Sequence, residues 1–170
     1  ETVKAVRRMN PNTTMETLIP DFQGNEKHLD RIVEVMPEVV SHNMETVRRL
    51  TREVRIQAQY DRSLEVLRYL KKAGVRRTKS GIMLGLGETE EEVFQTMRDL
   101  RNAQVDIVTI GQYLQPSKTH LPVKEFITPE QFKKYESAKA IGVDNFKRSD
   151  VISSFNNFEP RLSLSYSLDD

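Results

Sequence analysis

Short apolar runs alternate with amphipathic helical runs from residue 1 to about residue 142, and that rhythm constrains the fold more than any other feature. Thr14–Ile19 reads as a strand that stops at Pro20. Asn25–Met36 follows as a helix, with Leu29, Ile32, Val33 and Met36 on one face. Val39–Ser41 is a brief strand, and Val47–Val54 a short helical or irregular crossover. Ser63–Ala73 is a helix with Leu64, Leu67 and Leu70 facing inward, closed by Gly74 where a left-handed residue ends a helix. Thr78–Leu84 is a strand, Glu88–Ala103 a helix carrying Val93, Met97 and Leu100, Val105–Ile110 a strand, and Pro129–Ile141 a helix. Strands separated by single helices predict a parallel sheet. The spacing predicts an α/β fold: a partial parallel (β/α) barrel of the TIM type, incomplete in this chain. A small doubly wound domain is the alternative. Four such units leave a sheet unclosed, so exposed edges would make the chain poorly stable or aggregation-prone alone. Glu1 opens straight into a helical pattern, which reads as the interior of a longer protein.

Composition narrows the chemistry. The 170 residues contain no cysteine, which excludes disulfides, thiolate nucleophiles, cysteine–zinc sites and cysteine-ligated clusters within this chain. His28, His42 and His120 are far apart in sequence, with none at metal-ligand spacing from another. Net charge is +1 with acids and bases interleaved, so no overall field draws the chain to nucleic acid or membrane. No apolar run approaches the roughly 18 residues of a spanning helix.

Parallel strands place functional residues at their C-terminal ends. Polar residues fall there in all four units: Asp21 after the first strand; His42, Asn43 and Glu45 after the second; Gly85, Gly87 and Glu88 after the third; Gln112, Tyr113 and Gln115 after the fourth. Any one of them could simply cap an element, but four successive units point to one shared pocket. Gly81 and Gly85–Gly87 allow close backbone approach and positive φ. Glu88, Thr89 and Glu90–Glu92 form an N-capped, acid-rich helix start. No lysine follows the glycines and carboxylates would repel a polyphosphate, so an amine or sulfonium ligand suits this turn better. Asp61 or Ser63 is the expected cap of the helix after Tyr60. Arg62 could grip a ligand carboxylate or form a surface salt bridge, and His120 lies in a proline-flanked loop.

Six strings then carry a family resemblance: Ile19–Phe22 (IPDF), His42–Leu50 (HNMETVRRL), Val54–Arg55, Tyr60–Leu67 (YDRSLEVL), Thr78–Thr89 (TKSGIMLGLGET) and Asp106–Val123 (DIVTIGQYLQPSKTHLPV). In this order and spacing they closely resemble lipoyl synthase, a family of radical S-adenosylmethionine (SAM) enzymes. The resemblance implies a partial barrel binding SAM and a four-iron cluster, with a 5′-deoxyadenosyl radical abstracting hydrogens from C6 and C8 of an octanoyl chain. That chain is carried on lipoyl carrier domains: 2-oxoacid dehydrogenase acyltransferase subunits and the glycine cleavage H protein. A second, auxiliary cluster supplies sulfur. By motif position, Asn43, Glu45, Arg62, Ser80, Gly81, Gly85, Gly87 and Glu88 are candidates for holding SAM, and Gln112, Tyr113 and Gln115 for lining the substrate pocket. A bacterial source implies the cytoplasm, a eukaryotic one the mitochondrion or plastid.

The departures from the family concern metal. Its cluster cysteines lie upstream of the matching region, so the ligands of both 4Fe-4S clusters are expected to be absent here, and the isolated chain should bind neither. The family also ends in a segment like ASGPLVRSSY whose serine ligates the auxiliary cluster; Val151–Phe155 echoes it faintly and makes Ser153 the candidate metal ligand. Residues 1–142 therefore read as the C-terminal part of a radical-SAM barrel, and 143–170 as a divergent, disordered tail. A catalytically inactive SAM- or carrier-binding scaffold is the competing function.

Overall fold

The computed structural model describes residues 1–136 and the backbone of residues 151–153. Helix α1 (Thr2–Met9) precedes strand β1 (Glu16–Leu18), a 3-10 turn at Phe22–Gly24 and α2 (Glu26–Val35). Strand β2 (Val39–Ser41) leads through a 3-10 turn at Arg48–Leu50 and α3 (Thr51–Val54) into α4 (Tyr60–Lys72). Then come β3 (Arg77–Leu84), α5 (Glu90–Asn102), β4 (Ile107–Gln112), α6 (Pro129–Glu136) and β5 (Val151–Ser153). All neighbouring strands are parallel, in the order β1-β2-β3-β4-β5.

That order never reverses, which decides between the two expected architectures. A doubly wound sheet changes direction at a switch point, whereas a barrel adds each strand to the same edge. Burial agrees. Ile82 and Leu84 of β3 and Val108 and Ile110 of β4 share a core with Val93, Met97 and Leu100 of α5 and Leu64 and Leu67 of α4. Val40 of β2 joins Leu29 of α2 and Val66 and Leu70 of α4. The opposite face carries Leu18, Ser41, Lys79, Gly81, Met83, Thr109 and Gly111, which alternate with the buried set and share register across the sheet. Leu18 there is 67% exposed. This is the concave face of an open barrel.

Local signals explain the boundaries. Asn25 caps α2 by accepting from Lys27 N at 3.0 Å, and Met36 ends it in a left-handed conformation. Thr89 and Glu92 form a reciprocal capping box at the start of α5. Helix α4 begins earlier than its apolar spacing indicates, at Tyr60, and Gln59 is its cap without any side-chain bond. Asp61 and Ser63 are therefore not caps: Asp61 pairs with Arg48 through bonds of 2.7 and 2.8 Å, and Ser63 is buried on the helix. At the N-terminal end of the sheet, Asp106 accepts from Lys71 Nζ, Thr78 N and Thr78 Oγ1, tying α4, β3 and β4 together away from the strand ends. Strand β5 adds a parallel neighbour to β4 with no counterpart in the sequence reading. The other tail residues, and the end of the last expected helix, lie outside the described residues.

Candidate functional site

The candidate site is built around an irregularity at the end of β2. Ser41 pairs with Lys79, but Glu45 pairs with Ile82, so four steps on one strand oppose three on the other. This is a β-bulge, a device that re-aims side chains near sites. Glu45 N donates to Gly81 O at 2.9 Å and Glu45 O accepts from Met83 N at 2.8 Å, which locks the shifted register. Glu45 adopts φ 67°, a left-handed conformation that costs a residue with a side chain about 1–2 kcal/mol. Ser80 is fully buried, and its Oγ accepts from Met44 N at 3.2 Å, so it supports the bulge.

Above the bulge, three strands meet on the concave face. A Cβ on Gly81 would lie 2.8 Å from Thr109 Oγ1 and 3.1 Å from Asn43 Oδ1, so the glycine lets the Asn43 amide cross the sheet. Thr109 Oγ1 donates to Ser80 O at 3.3 Å. A Cβ on Gly111 would meet nothing within 4 Å, so space is open there. Among the described residues, the Asn43 side-chain amide and the half-buried Glu45 carboxylate have no hydrogen-bond or ion-pair partner. Thr46 Oγ1, next in sequence, is buried without a partner. The Asn43 and Glu45 side chains, both partly exposed, are thus uncommitted to the rest of the described chain at one strand end.

The remaining expected site residues lie elsewhere. Arg62 is turned to Asp21, with Nε to Oδ2 at 2.7 Å, and to the Gln57 carbonyl at 2.8 Å, which fits the salt-bridge reading. Burial pushes the Asp21 carboxyl up, but the Gln23 amide and Arg62 bring it below its ordinary value. Glu88 folds back on its own turn, accepting from Gly85 N at 2.5 Å and Leu86 N at 2.9 Å. Glu90 pairs with Lys134, Glu91 with Arg98, and Glu92 with Arg49 and the capping box. The Arg49 bond holds Glu92 down to about 2 against burial. The acid-rich turn is thus satisfied internally, leaving Glu45 as the carboxylate at the strand ends without a partner among the described residues.

Gly85 and Gly87 both have positive φ, near 100°. Gly85 lies beneath the segment 121–127, whose Lys124 N donates to Gly85 O at 2.8 Å. Gln112 pairs in register with Leu84, on the helix-packed face rather than the concave one. Tyr113 is buried in the core and donates to Leu121 O at 2.9 Å, while Gln115 donates to His120 O at 2.8 Å in the exposed loop. The sequence reading missed Thr109 and Gly111, although their period-two spacing within β4 puts them on the face of Gly81.

His42 fastens the site from behind. Its Nδ1 lies 3.0 Å from Ile19 O, which can only accept, so Nδ1 carries the hydrogen and Nε2 accepts from Ser63 Oγ at 2.9 Å. Burial lowers the His42 pKa, and the nearby Arg55 charge adds to this, against the Ile19 bond. The unfolded chain therefore takes up a proton at about 6.5 that the folded chain refuses. Stability should be full above that pH and fall by up to about 1.4 kcal/mol per pH unit below it, until the folded value is reached. Urea melts from pH 8 to 5 should show this slope in the parent chain. Its persistence in His42→Gln would refute the assignment.

Cluster ligands are a separate matter. Among the described residues no three His, Cys, Asp or Glu side chains come together, and the sequence has no cysteine. The described residues therefore do not fit an iron–sulfur cluster.

Comparison with known proteins gives the family. The family model of the radical SAM superfamily matches residues 1–100. Lipoyl synthase of Flavobacterium johnsoniae is 84% identical over 136 residues, 80% of this chain and 47% of that protein. The mitochondrial lipoyl synthase of Nematostella vectensis is 70% identical over 163 residues, 95% of this chain and 56% of that protein. The chain spans about half the length of the curated relatives it matches. In fold, it is similar to Streptococcus suis SuiB, solved with S-adenosylmethionine bound (TM-score 0.68, 11% identity, 96% of this chain, 38% of that one). It is also similar to Escherichia coli coproporphyrinogen III oxidase, a radical SAM enzyme (TM-score 0.62, 14% identity, 84% of this chain, 35% of that one). Among the described residues no helix is long and apolar enough to cross a membrane. With the superfamily model covering more than half its length and this open parallel sheet beneath it, the chain belongs to the radical SAM superfamily.

Proposed function

We propose that this chain forms the SAM- and substrate-facing part of a lipoyl synthase, which inserts sulfur at C6 and C8 of an octanoyl group on a lipoyl carrier domain. The observation that carries the reading is the identity to lipoyl synthases of a bacterium and of a mitochondrion across the residues that build the strand ends. SAM together with a reduced four-iron cluster would supply the hydrogen-abstracting radical. The chain's own residues bind and orient. Glu45 offers a carboxylate to ligand hydroxyls or a cationic centre, the Asn43 amide offers a donor and an acceptor, and Gly81 and Gly111 keep the concave face open. Ser80 supports the bulge beneath them.

Apart from Ser153, the candidate ligand of an auxiliary cluster, the cluster ligands would be residues other than those described; the backbone of Ser153 pairs with Ile110 of β4. The carriers are acyltransferase subunits of 2-oxoacid dehydrogenases and the glycine cleavage H protein. The compartment is the bacterial cytoplasm, or the mitochondrion or plastid in a eukaryote.

A chimera tests the function. The 136 matched residues of the Flavobacterium johnsoniae enzyme are replaced by those of this chain, and the product is reconstituted without oxygen. Conversion of octanoylated to lipoylated carrier, read by mass spectrometry, is expected. A folded, cluster-loaded chimera that binds SAM without converting the carrier would overturn the enzyme reading in favour of a scaffold.

A further inference from the structure

The Gln112 side chain is engaged to an unusual degree. Its Nε2 lies 3.2 Å from Leu84 O, 3.0 Å from Tyr113 O and 3.1 Å from Glu125 O, and its Oε1 accepts from Ile127 N at 2.8 Å. One amide thus joins the end of β3, the end of β4 and the segment 121–127, here termed the strap. The strap returns over the β3–α5 turn, where Lys124 N donates to Gly85 O at 2.8 Å. A Cβ on Gly85 would overlap both Gln112 Nε2 and the Glu125 carbonyl. The glycine and the amide therefore interlock: the turn is shaped to receive the clamp.

We infer that Gln112 is a positioning residue for the substrate side of the site, acting by fixing the strap rather than by touching the octanoyl chain. The inference rests on the lipoyl synthase reading for its kinetic consequence only. Its register places Gln112 on the helix-packed face, and all its donors and its acceptor oxygen face backbone groups, so it has no reach to spare for a ligand. The strap has few other anchors. Tyr113 Oη holds its start at Leu121 O, and Leu121, Val123 and Ile127 are only partly buried. Phe126 is 70% exposed. A segment with so little buried surface opens locally unless polar clamps hold it. On the lipoyl synthase reading, a strap beside the acyl chain would have to keep one position for two sulfurs to be placed on it.

Gln112→Glu and Gln112→Leu in the chimera test this. Glutamate keeps the shape and the acceptor for Ile127 N but loses the two amide hydrogens shared among three carbonyls. Both variants should let trypsin cut at Lys124 about tenfold faster and raise KM for octanoylated carrier about tenfold, with SAM affinity within about twofold of the parent. Unchanged cleavage in both would overturn the clamp, as would parent-like behaviour of Gln112→Glu alone. A fall in SAM affinity parallel to KM would also overturn it, by revealing a general structural role. An inactive parent chimera would count against the lipoyl synthase reading alone, because tryptic cleavage still decides whether the amide holds the strap.

Discussion

Gly85→Ala should be the most destabilising single-methyl change in the described part of the chain, costing about 2–5 kcal/mol. Two effects add. The φ of 102° forces an alanine into the left-handed region, at about 1–2 kcal/mol. The new methyl also meets the Gln112 amide and the Glu125 carbonyl, neither of which can withdraw without breaking the strap, and such overpacking costs about 1–3 kcal/mol more. Gly74 provides the control. Its φ is 91°, but a Cβ there would meet nothing within 4 Å. Gly74→Ala should therefore lose only the conformational part, about 1–2 kcal/mol. Urea denaturation of both variants separates strain from collision, and equal losses would remove the steric argument for the strap.

The two glycines also show what a sequence yields. Both mark turns, and the chain pattern places both correctly, because positive φ is a local demand that only glycine meets cheaply. What stands over Gly85 is not local. The strap arrives from about 40 residues downstream, and its hydrogen bonds run from a side chain to backbone carbonyls that carry no compositional mark. For the same reason Gln112 reads in the sequence as a polar residue at a strand end, facing a pocket. Only the register with Leu84 shows that it faces the helices.

The sheet was legible because its signal is periodic. Val39–Ser41 is a strand at the bounds its apolar run indicates, and the single-helix spacing between strands correctly implies parallel pairing. The acidic turn was less legible. Glu88 and Glu90–Glu92 suggest an open negative site, yet each has a partner supplied by the turn, by its own helix, or by Arg49 or Lys134 from distant segments. Charge in a sequence is countable, but its neutralisation is tertiary. The α4 start was missed for a related reason: Tyr60 lies on the buried face of the helix, stacked under the Arg48 guanidinium, and no side-chain cap announces the first turn.

Glu45 is where these arguments meet, and substitution there should separate stability from binding. Its left-handed backbone is a cost that a glycine would relieve, so Glu45→Gly should raise the unfolding free energy by up to about 1 kcal/mol. The same change removes the carboxylate that has no partner among the described residues, and the affinity of the reconstituted chimera for SAM should fall about 10- to 100-fold, the range for a lost charged hydrogen bond. Glu45→Gln keeps the strain and the shape while removing the charge. It should match the parent in stability and approach Glu45→Gly in affinity. A glutamate retained for packing alone would give the reverse pattern, with Glu45→Gly destabilised and SAM binding untouched. Gain of stability with loss of ligand is the mark of a residue held in strain for its site, since nothing in the fold itself otherwise favours a glutamate at φ 67° over a glycine.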